Sequence, residues 1–243
     1  MAESREGLAV AVFADAVRRF WETRREQAAK QKRTGGRDQG KRSEATGGRQ
    51  MDGFNDVLRD ILTKQGVPDE CIFSRKGALE LPGFFRATKQ WDLLVVRDGA
   101  LLAAIELKSQ VGPSFPNNFN NRTEEAIGTA IDTWTAYREG AFAPSAQPWL
   151  GYLLLLEDCP ESQAPVSVSE PHFPVFPEFK RASYAKRYEL FCQKLVRERR
   201  YSSACFLLSD RTRAQDAVNY TEPSLELSAS QFVHGLLARA ACD

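Results

Sequence analysis

The chain has 243 residues, of which 42% are hydrophobic and 27% are charged, so it can form one large α/β domain or one domain with an appendage. Its formal net charge is only +1, so contacts to phosphate groups must come from local basic patches rather than from a field of the whole protein. Two histidines and five scattered cysteines without a Cys-x-x-Cys pair exclude zinc sites of the Cys/His type and mechanisms built on paired histidines.

The first predicted element is an amphipathic helix over residues 8–30, followed by a glycine-rich, basic loop over residues 34–50. Residues 18–49 contain eleven basic and four acidic side chains, an excess of seven positive charges. The loop is either a solvated linker or an arm that orders on DNA, with Lys41 and Arg42 contacting phosphates. We therefore divide the chain into residues 1–50, the N-terminal helix and loop, and residues 51–243, the main domain.

A second helix is predicted over residues 53–64, and a β-hairpin over residues 91–96 and 100–108 follows it. Asp98-Gly99 between the two strands is a typical hairpin turn. Both faces of each strand are apolar, which indicates central strands covered by helices on two sides.

Asp92, Glu106 and Lys108 are the charged exceptions in these apolar strands. A two-residue loop would pair Asp92 with Ile105 and place the two carboxylates on opposite faces, whereas a three-residue loop pairs Asp92 with Ala104 and brings them together. We predict the three-residue loop or an equivalent bulge, because two separate unpaired carboxylates in an apolar sheet would each cost several kcal/mol.

Two converging carboxylates suit Mg²⁺, which prefers hard oxygen ligands and often binds one or two acids together with substrate phosphate oxygens. Lys108 could then orient or help deprotonate a water, or offset charge that develops on a phosphate. This combination predicts phosphodiester hydrolysis. The alternative is that Glu106 and Lys108 form an exposed ion pair at a fraying strand end.

Two groups of side chains near these acids are candidate DNA contacts. Upstream, Arg86 and Lys89 could clamp phosphates or be ordinary surface residues. Downstream, Gly112, Pro113 and Pro116 end the strand and introduce a predicted loop of amides and a guanidinium, which can read bases in the major groove or serve turn formation. These residues are Asn117, Asn118, Asn120, Asn121 and Arg122.

The rest of the chain alternates helices and strands. A helix with Glu124 and Glu125 in its first turn has a predicted buried stripe of Ala126, Ile127, Ala130, Ile131, Trp134 and Tyr137. Strands are predicted over residues 149–156 and 204–208, and helices over residues 182–199 and 227–241. This order predicts an α/β fold with a mixed central sheet flanked by helices.

Long runs of this sequence resemble the XhoI-type Type II restriction endonucleases of the PD-(D/E)xK nuclease superfamily. The similar runs are residues 51–54, 81–95, 106–115, 117–128 and 171–179. The resemblance implies a restriction-endonuclease-like core in residues 51–243, with Asp92, Glu106 and the carbonyl of Leu107 as metal ligands and Lys108 as the catalytic lysine. Trp91 replaces the proline of the superfamily's name. In the superfamily, a helix in the place of residues 53–64 can add another acid to the site, and Asp52 and Asp56 are the two candidates here.

The resemblance also implies a homodimer, double-stranded DNA with the palindrome CTCGAG, Mg²⁺ and a companion DNA methyltransferase. A repair or structure-specific nuclease on the same scaffold is the alternative, and a DNA-binding module without catalysis is a third possibility. The longest apolar run is too short to cross a bilayer, and no basic stretch precedes an apolar segment at the N-terminus. We expect no membrane partner, reduced cysteines and a cytoplasmic location.

Overall fold

The computed structural model describes residues 5–33, 49–74 and 77–241. Its strands are β1 (Ile72–Phe73), β2 (Glu80–Pro82), β3 (Thr88–Gln90), β4 (Leu93–Arg97), β5 (Ala100–Gln110), β6 (Trp149–Glu157) and β7 (Ser203–Ser209). Its α-helices are α1 (Arg5–Arg33), α2 (Asp52–Lys64), α3 (Phe115–Arg138), α4 (Pro160–Gln163), α5 (Tyr184–Arg197) and α6 (Ala229–Ala240). The main predicted helices and strands are confirmed, whereas the short strands β1, β2 and β3 were missed.

The main sheet has the strand order β1-β4-β5-β6-β7. The β1–β4 and β4–β5 pairs are antiparallel, and the β5–β6 and β6–β7 pairs are parallel. Strands β2 and β3 form a separate two-stranded antiparallel sheet. The predicted mixed sheet flanked by helices is therefore confirmed.

Helices cover both faces of the main sheet, as the apolar strands predict. Helices α1, α2 and α6 pack on one face, where Phe20, Phe54 and Phe232 meet Ile105 and Leu153 in one buried cluster. Helices α3 and α5 pack on the other, and a second buried cluster there is formed by residues including Ala130, Tyr188, Ala104, Leu154 and Phe206. Strand β5 lies in the middle of the sheet, with burial on both faces.

The turn between β4 and β5 corrects the predicted register. The loop has two residues, Asp98 and Gly99, both with positive φ (52° and 76°) as a tight hairpin turn requires. A bulge then leaves Leu102 unpaired, because Val95 pairs with Ala103 and Val96 pairs with Leu101. The three-residue loop was wrong, but the equivalent bulge is present.

Beyond this bulge, Leu93 pairs with Ile105, and both residues belong to the buried cluster on one face of the sheet. Side chains alternate between the two faces along a strand, so Asp92 and Glu106, the next residue on each side of this pair, lie toward the other face. The bulge thereby brings the two carboxylates to the same face, although neither simple loop predicted this register.

Helix α3 corrects a second prediction. The asparagines at 117, 118, 120 and 121 lie in its first two turns rather than in a loop. Pro116 lies in the first turn of the helix, where a missing N–H costs nothing, so the proline begins a helix as well as following a strand. Ile127 and Ile131 are exposed rather than buried, because the buried face of α3 follows Ala126, Ala130 and Ala136.

The N-terminal helix shares the core of the main domain, since Phe13 and Val17 of α1 belong to the same buried cluster as residues of α2 and α6. Lys41 and Arg42 lie outside the described residues, and the division of the chain at residue 50 stays a prediction. None of the helices in the described ranges is long and apolar enough to span a membrane.

Candidate active site

Strand β5 carries Glu106 and Lys108 on the face covered by α3. Side chains alternate between faces along a strand, and the neighbouring Ile105 and Leu107 belong to the cluster on the opposite face. Glu106 is paired in register with Tyr152 of β6, which lies in the cluster beneath α3 and α5. The Glu106 carboxylate is thus buried within the core, and only 2% of the surface of this residue is exposed.

Asp92 lies just before β4 and is held against β5. Its backbone N–H donates to the carbonyl of Ile105 at 3.1 Å. Its Oδ2 accepts a hydrogen bond from the N–H of Leu107 at 2.7 Å. These two contacts fix the Asp92 carboxylate beside the peptide that joins Glu106 to Leu107.

Two lysines contact the Glu106 carboxylate. Lys108 Nζ lies 2.5 Å from Oε1. Lys89 Nζ, from β3, lies 3.1 Å from Oε2 and donates a hydrogen bond to Oε1 at 3.2 Å. The three side chains are mostly buried, with 3% of Glu106, 16% of Lys89 and 22% of Lys108 exposed. The buried negative charge is therefore compensated by two cations.

The pKa shifts follow from this arrangement. Burial raises the pKa of Asp92 above its usual value, against the opposing effect of Lys108. Burial also acts to raise the pKa of Glu106, but Lys108 and Lys89 outweigh it and the net pKa is lowered. Burial acts to lower the pKa of Lys108, but Glu106 and Asp92 outweigh it and the net pKa is raised. Two acids with opposite shifts beside a charged lysine are typical of a functional site.

These residues line an open cleft of about 930 Å³ between α3 and the β2–β3 hairpin. Its walls include three of the predicted DNA contacts, Arg86, Lys89 and Arg122. The four predicted asparagines at positions 117, 118, 120 and 121 are not among the residues that line it. The cleft thus combines the carboxylates with basic side chains on two sides.

Gln50 and Ser109 also line the cleft, and sequence reasoning did not select either. Gln50 Nε2 donates to Ser109 Oγ at 3.0 Å, and Arg24 Nη1 donates to Gln50 Oε1 at 2.9 Å. The candidate additional acids, Asp52 and Asp56, are not among the lining residues. Asp56 instead pairs with Arg19 at 2.6 Å.

Asp132 also lines the cleft, but no pattern in the sequence singled it out. It lies on α3 with only 4% of its side chain exposed. Its Oδ1 accepts from the backbone N–H groups of Phe84 and Phe85, both at 2.8 Å, and its Oδ2 accepts from Arg86 Nε at 2.7 Å. One carboxylate therefore fastens the tip of the β2–β3 hairpin to α3. No local pattern predicts these partners, because they lie more than forty residues away in sequence.

We expect Asp132→Ala to lower the free energy of unfolding by about 2–3 kcal/mol, because it leaves two backbone donors and a guanidinium without their acceptor. For a chain of this size that corresponds to a fall of roughly 5–10 °C in melting temperature. Thermal unfolding followed by circular dichroism measures it. Asp60→Ala, which removes an exposed aspartate of α2, is the control and should change little. A variant at position 132 that melts like the wild type would contradict the anchoring role.

The chain is similar to known proteins over most of its length. The family model for restriction endonuclease XhoI matches residues 30–221. The Type II restriction enzyme BstVI of Geobacillus stearothermophilus is 54% identical over 217 residues, covering 87% of this chain and 96% of its own. The Type II restriction enzyme XhoI of Xanthomonas vasicola is 55% identical over 159 residues, covering 65% of this chain and 64% of its own.

A third relative, the Type II restriction enzyme AbrI of Azospirillum brasilense, is 52% identical over 159 residues, covering 65% of this chain and 71% of its own. No solved structure matches the chain. The family model spans most of the sequence, including Asp92, Glu106 and Lys108, and the resemblance stated from the sequence is confirmed. The chain belongs to the XhoI family of Type II restriction endonucleases.

Proposed function

We propose that this restriction endonuclease hydrolyses both strands of double-stranded DNA at the palindrome CTCGAG in a Mg²⁺-dependent reaction. The observation that carries the proposal is the meeting of Asp92, Glu106 and Lys108 in one cleft, in a chain whose relatives are named Type II restriction enzymes. The sequence CTCGAG and the choice of Mg²⁺ come from the family resemblance. The cleft supplies the residues that such a reaction needs.

The residues in the cleft fit a hard divalent cation. Glu106 Oε2 is buried and receives no hydrogen bond, although Lys89 Nζ lies 3.1 Å away. Such an oxygen is available to a metal ion. Among the described residues, no group of three or more Asp, Glu, His or Cys side chains could hold a metal, so the proposed site uses the two carboxylates of Asp92 and Glu106. Mg²⁺ typically uses one or two carboxylates and completes its shell with waters and substrate phosphate oxygens.

Asp92, Glu106 and the carbonyl of Leu107 would hold the ion. When bound, Mg²⁺ supplies a water of lowered pKa and screens the negative charge of the scissile phosphate. Lys108 contributes an ammonium group on a rigid strand, which orients the attacking oxygen and offsets charge on the phosphate in the transition state. Its contact with Glu106 at 2.5 Å holds it within the cleft.

The remaining basic residues of the cleft, Arg86, Lys89 and Arg122, are proposed to contact backbone phosphates. Arg86 and Arg122 are already oriented by Asp132 and Glu125, each at 2.7 Å. The residues at the start of α3, Asn117, Asn118, Asn120 and Asn121, and the loop residues Lys41 and Arg42 complete the proposed DNA contacts. Asparagine can bond adenine in the major groove.

A palindromic site implies a symmetric enzyme, because each half-site then meets one subunit. We therefore propose a homodimer in which each active site cuts one strand. An enzyme that cuts a short sequence wherever it occurs would also cut the DNA of its own cell. This is the reason to propose a companion DNA methyltransferase that modifies the same site.

Digestion of a plasmid of known sequence tests the proposed function directly. We expect discrete fragments whose ends map to CTCGAG when Mg²⁺ is present, and no cleavage in EDTA because the carboxylates alone cannot activate water. A smear of fragments would favour the sequence-nonspecific or structure-specific nuclease. Binding without cleavage in any divalent ion would favour a DNA-binding module, and full activity in EDTA would contradict the metal site.

A further inference from the structure

The tip of the β2–β3 hairpin presents two phenylalanines to solvent. Phe84 is 51% exposed and Phe85 is 70% exposed. Their rings pack edge to face, with centroids 4.9 Å apart. Phe85 lines the same cleft as Asp92, Glu106 and Lys108. A large apolar side chain is therefore exposed at the mouth of the candidate active site, where a substrate must pass.

This tip is rigidly supported. The backbone N–H groups of both phenylalanines donate to the buried Asp132. Gly83 approaches the turn so closely that a Cβ there would lie 2.6 Å from the carbonyl oxygen of Arg86 and 2.7 Å from Asp132 Oδ2. Only glycine fits at this position without a shift of the backbone. The aromatic tip is thus held in one place before any ligand arrives, which lowers the entropic cost of binding.

The hairpin also fixes the tip relative to the catalytic residues. Strand β3 carries Lys89, which contacts Glu106. Two residues further on, Trp91 is buried and its backbone N–H donates to the carbonyl of Leu79 at 2.9 Å, and Asp92 follows. A group that rests on Phe85 is therefore placed at a set position with respect to both carboxylates.

The surroundings of Phe85 indicate the kind of ligand. The cleft also contains the cations Arg86, Lys89, Lys108 and Arg122, each held in place by an acid of the same cleft. Ile131, which also lines the cleft, is 38% exposed. A ligand that suits both features carries closely spaced negative charges and flat apolar surfaces. Nucleic acid has this chemistry, since aromatic side chains stack on bases or insert between them while basic groups neutralise phosphates.

We propose that Phe85, supported by Phe84, packs against the nucleosides next to the scissile phosphate and so sets the position of that phosphate in the cleft. Asp132 acts as a positioning residue that holds the aromatic tip. This inference rests on the proposed function, because duplex DNA is taken as the ligand of the cleft.

The test compares Phe85→Ala with Phe85→Trp, and uses Phe173→Ala as a matched control. Phe173 is 85% exposed but is not among the residues that line the cleft. The probe is a short fluorescein-labelled duplex with CTCGAG at its centre. Its dissociation constant is measured by anisotropy in EDTA, and KM and kcat for its cleavage are measured in Mg²⁺.

We expect Phe85→Ala to raise the dissociation constant and KM about tenfold, as loss of one aromatic contact to a base does. Phe85→Trp should retain near wild-type values, and Phe173→Ala should behave as the wild type. Asp132 also orients Arg86, so the double variant is made in an Arg86→Met background. There, combining Phe85→Ala with Asp132→Ala should raise KM no further than the worse of the two changes, because both then act on one contact. Additive losses would overturn the positioning role of Asp132.

Two results would overturn the role of Phe85. One is wild-type binding and cleavage by Phe85→Ala in an assay where the wild-type chain cuts DNA, which leaves the proposed function standing. The other is conversion of Phe85→Ala to a monomer, measured by light scattering, which would make a second copy of the chain the partner of this surface. A wild-type chain that neither binds nor cuts the duplex overturns both proposals. If the wild type binds without cutting, only the proposed function fails and the dissociation constants still decide the role of Phe85.

Discussion

Replacing Glu106 with alanine or glutamine is expected to lower the rate of DNA cleavage by a factor of about a thousand or more. The loss corresponds to roughly 4 kcal/mol of transition-state stabilisation, a reasonable size for a metal-assisted step that loses a ligand. Glu106 is buried, and its Oε2 receives no hydrogen bond, so either substitution removes a buried carboxylate oxygen that is available to the metal ion. Single-turnover cleavage of a plasmid in Mg²⁺ measures the effect.

The same Glu106 variants should still shift cognate DNA in a gel and keep the oligomeric state of the wild type, because the change leaves the outer surface of the cleft intact. Glu157→Gln is the matched control, since Glu157 is also a buried glutamate on a neighbouring strand. It contacts the N–H of Gly112 at 2.9 Å and Arg211 at 2.5 Å and does not line the cleft. Undiminished cutting by a purified Glu106 variant would refute the active-site assignment.

Replacing Lys108 with methionine is expected to lower kcat about a hundredfold or more with little change in KM. The side chain is 22% exposed and is held by Glu106, so a methionine fills its space while removing the ammonium that is proposed to act in the transition state. Loss of one preorganised electrostatic donor typically has an effect of this size. Michaelis kinetics on the CTCGAG duplex separate kcat from KM.

Lys89→Met provides the comparison, because Lys89 contacts the same carboxylate from another strand. Its proposed role is to bind a phosphate, so it should mainly raise KM, by about tenfold, and leave kcat within a few-fold of the wild type. A larger loss of kcat for Lys89→Met than for Lys108→Met would exchange the roles of the two lysines.

Much of the framework could be predicted because it rests on local patterns. Neighbouring residues determine each of three features: the helical spacing of the apolar residues in α1, the continuous apolar runs of β5 and β6, and the Asp98-Gly99 turn. The charges of Asp92, Glu106 and Lys108 stood out in apolar strands for the same reason, and the structure brings all three to one cleft. The short strand β3 was missed because three residues carry too little periodicity to distinguish a strand from a loop.

Other features depend on distant parts of the chain. Ile127 and Ile131 are exposed because the buried face of α3 follows Ala126, Ala130 and Ala136. The helical state of the asparagines at its start follows from Pro116 and the packing of Phe115 rather than from asparagine itself. Asp132 was overlooked because its partners, Phe84, Phe85 and Arg86, come from a hairpin more than forty residues earlier.

The sequence by itself determined the family, the central strands and the identity of the three charged residues at the site. Only the tertiary structure decided that Asp92 faces Glu106, that two lysines share one carboxylate, and that a buried aspartate holds an aromatic tip over the cleft. The physical reason is that side chains alternate between the two faces of a sheet. One unpaired residue, Leu102, therefore changes which side chains of β4 and β5 share a face beyond the bulge. Hydrophobic periodicity predicts a strand, but the pairing between strands decides which residues its charged side chains contact.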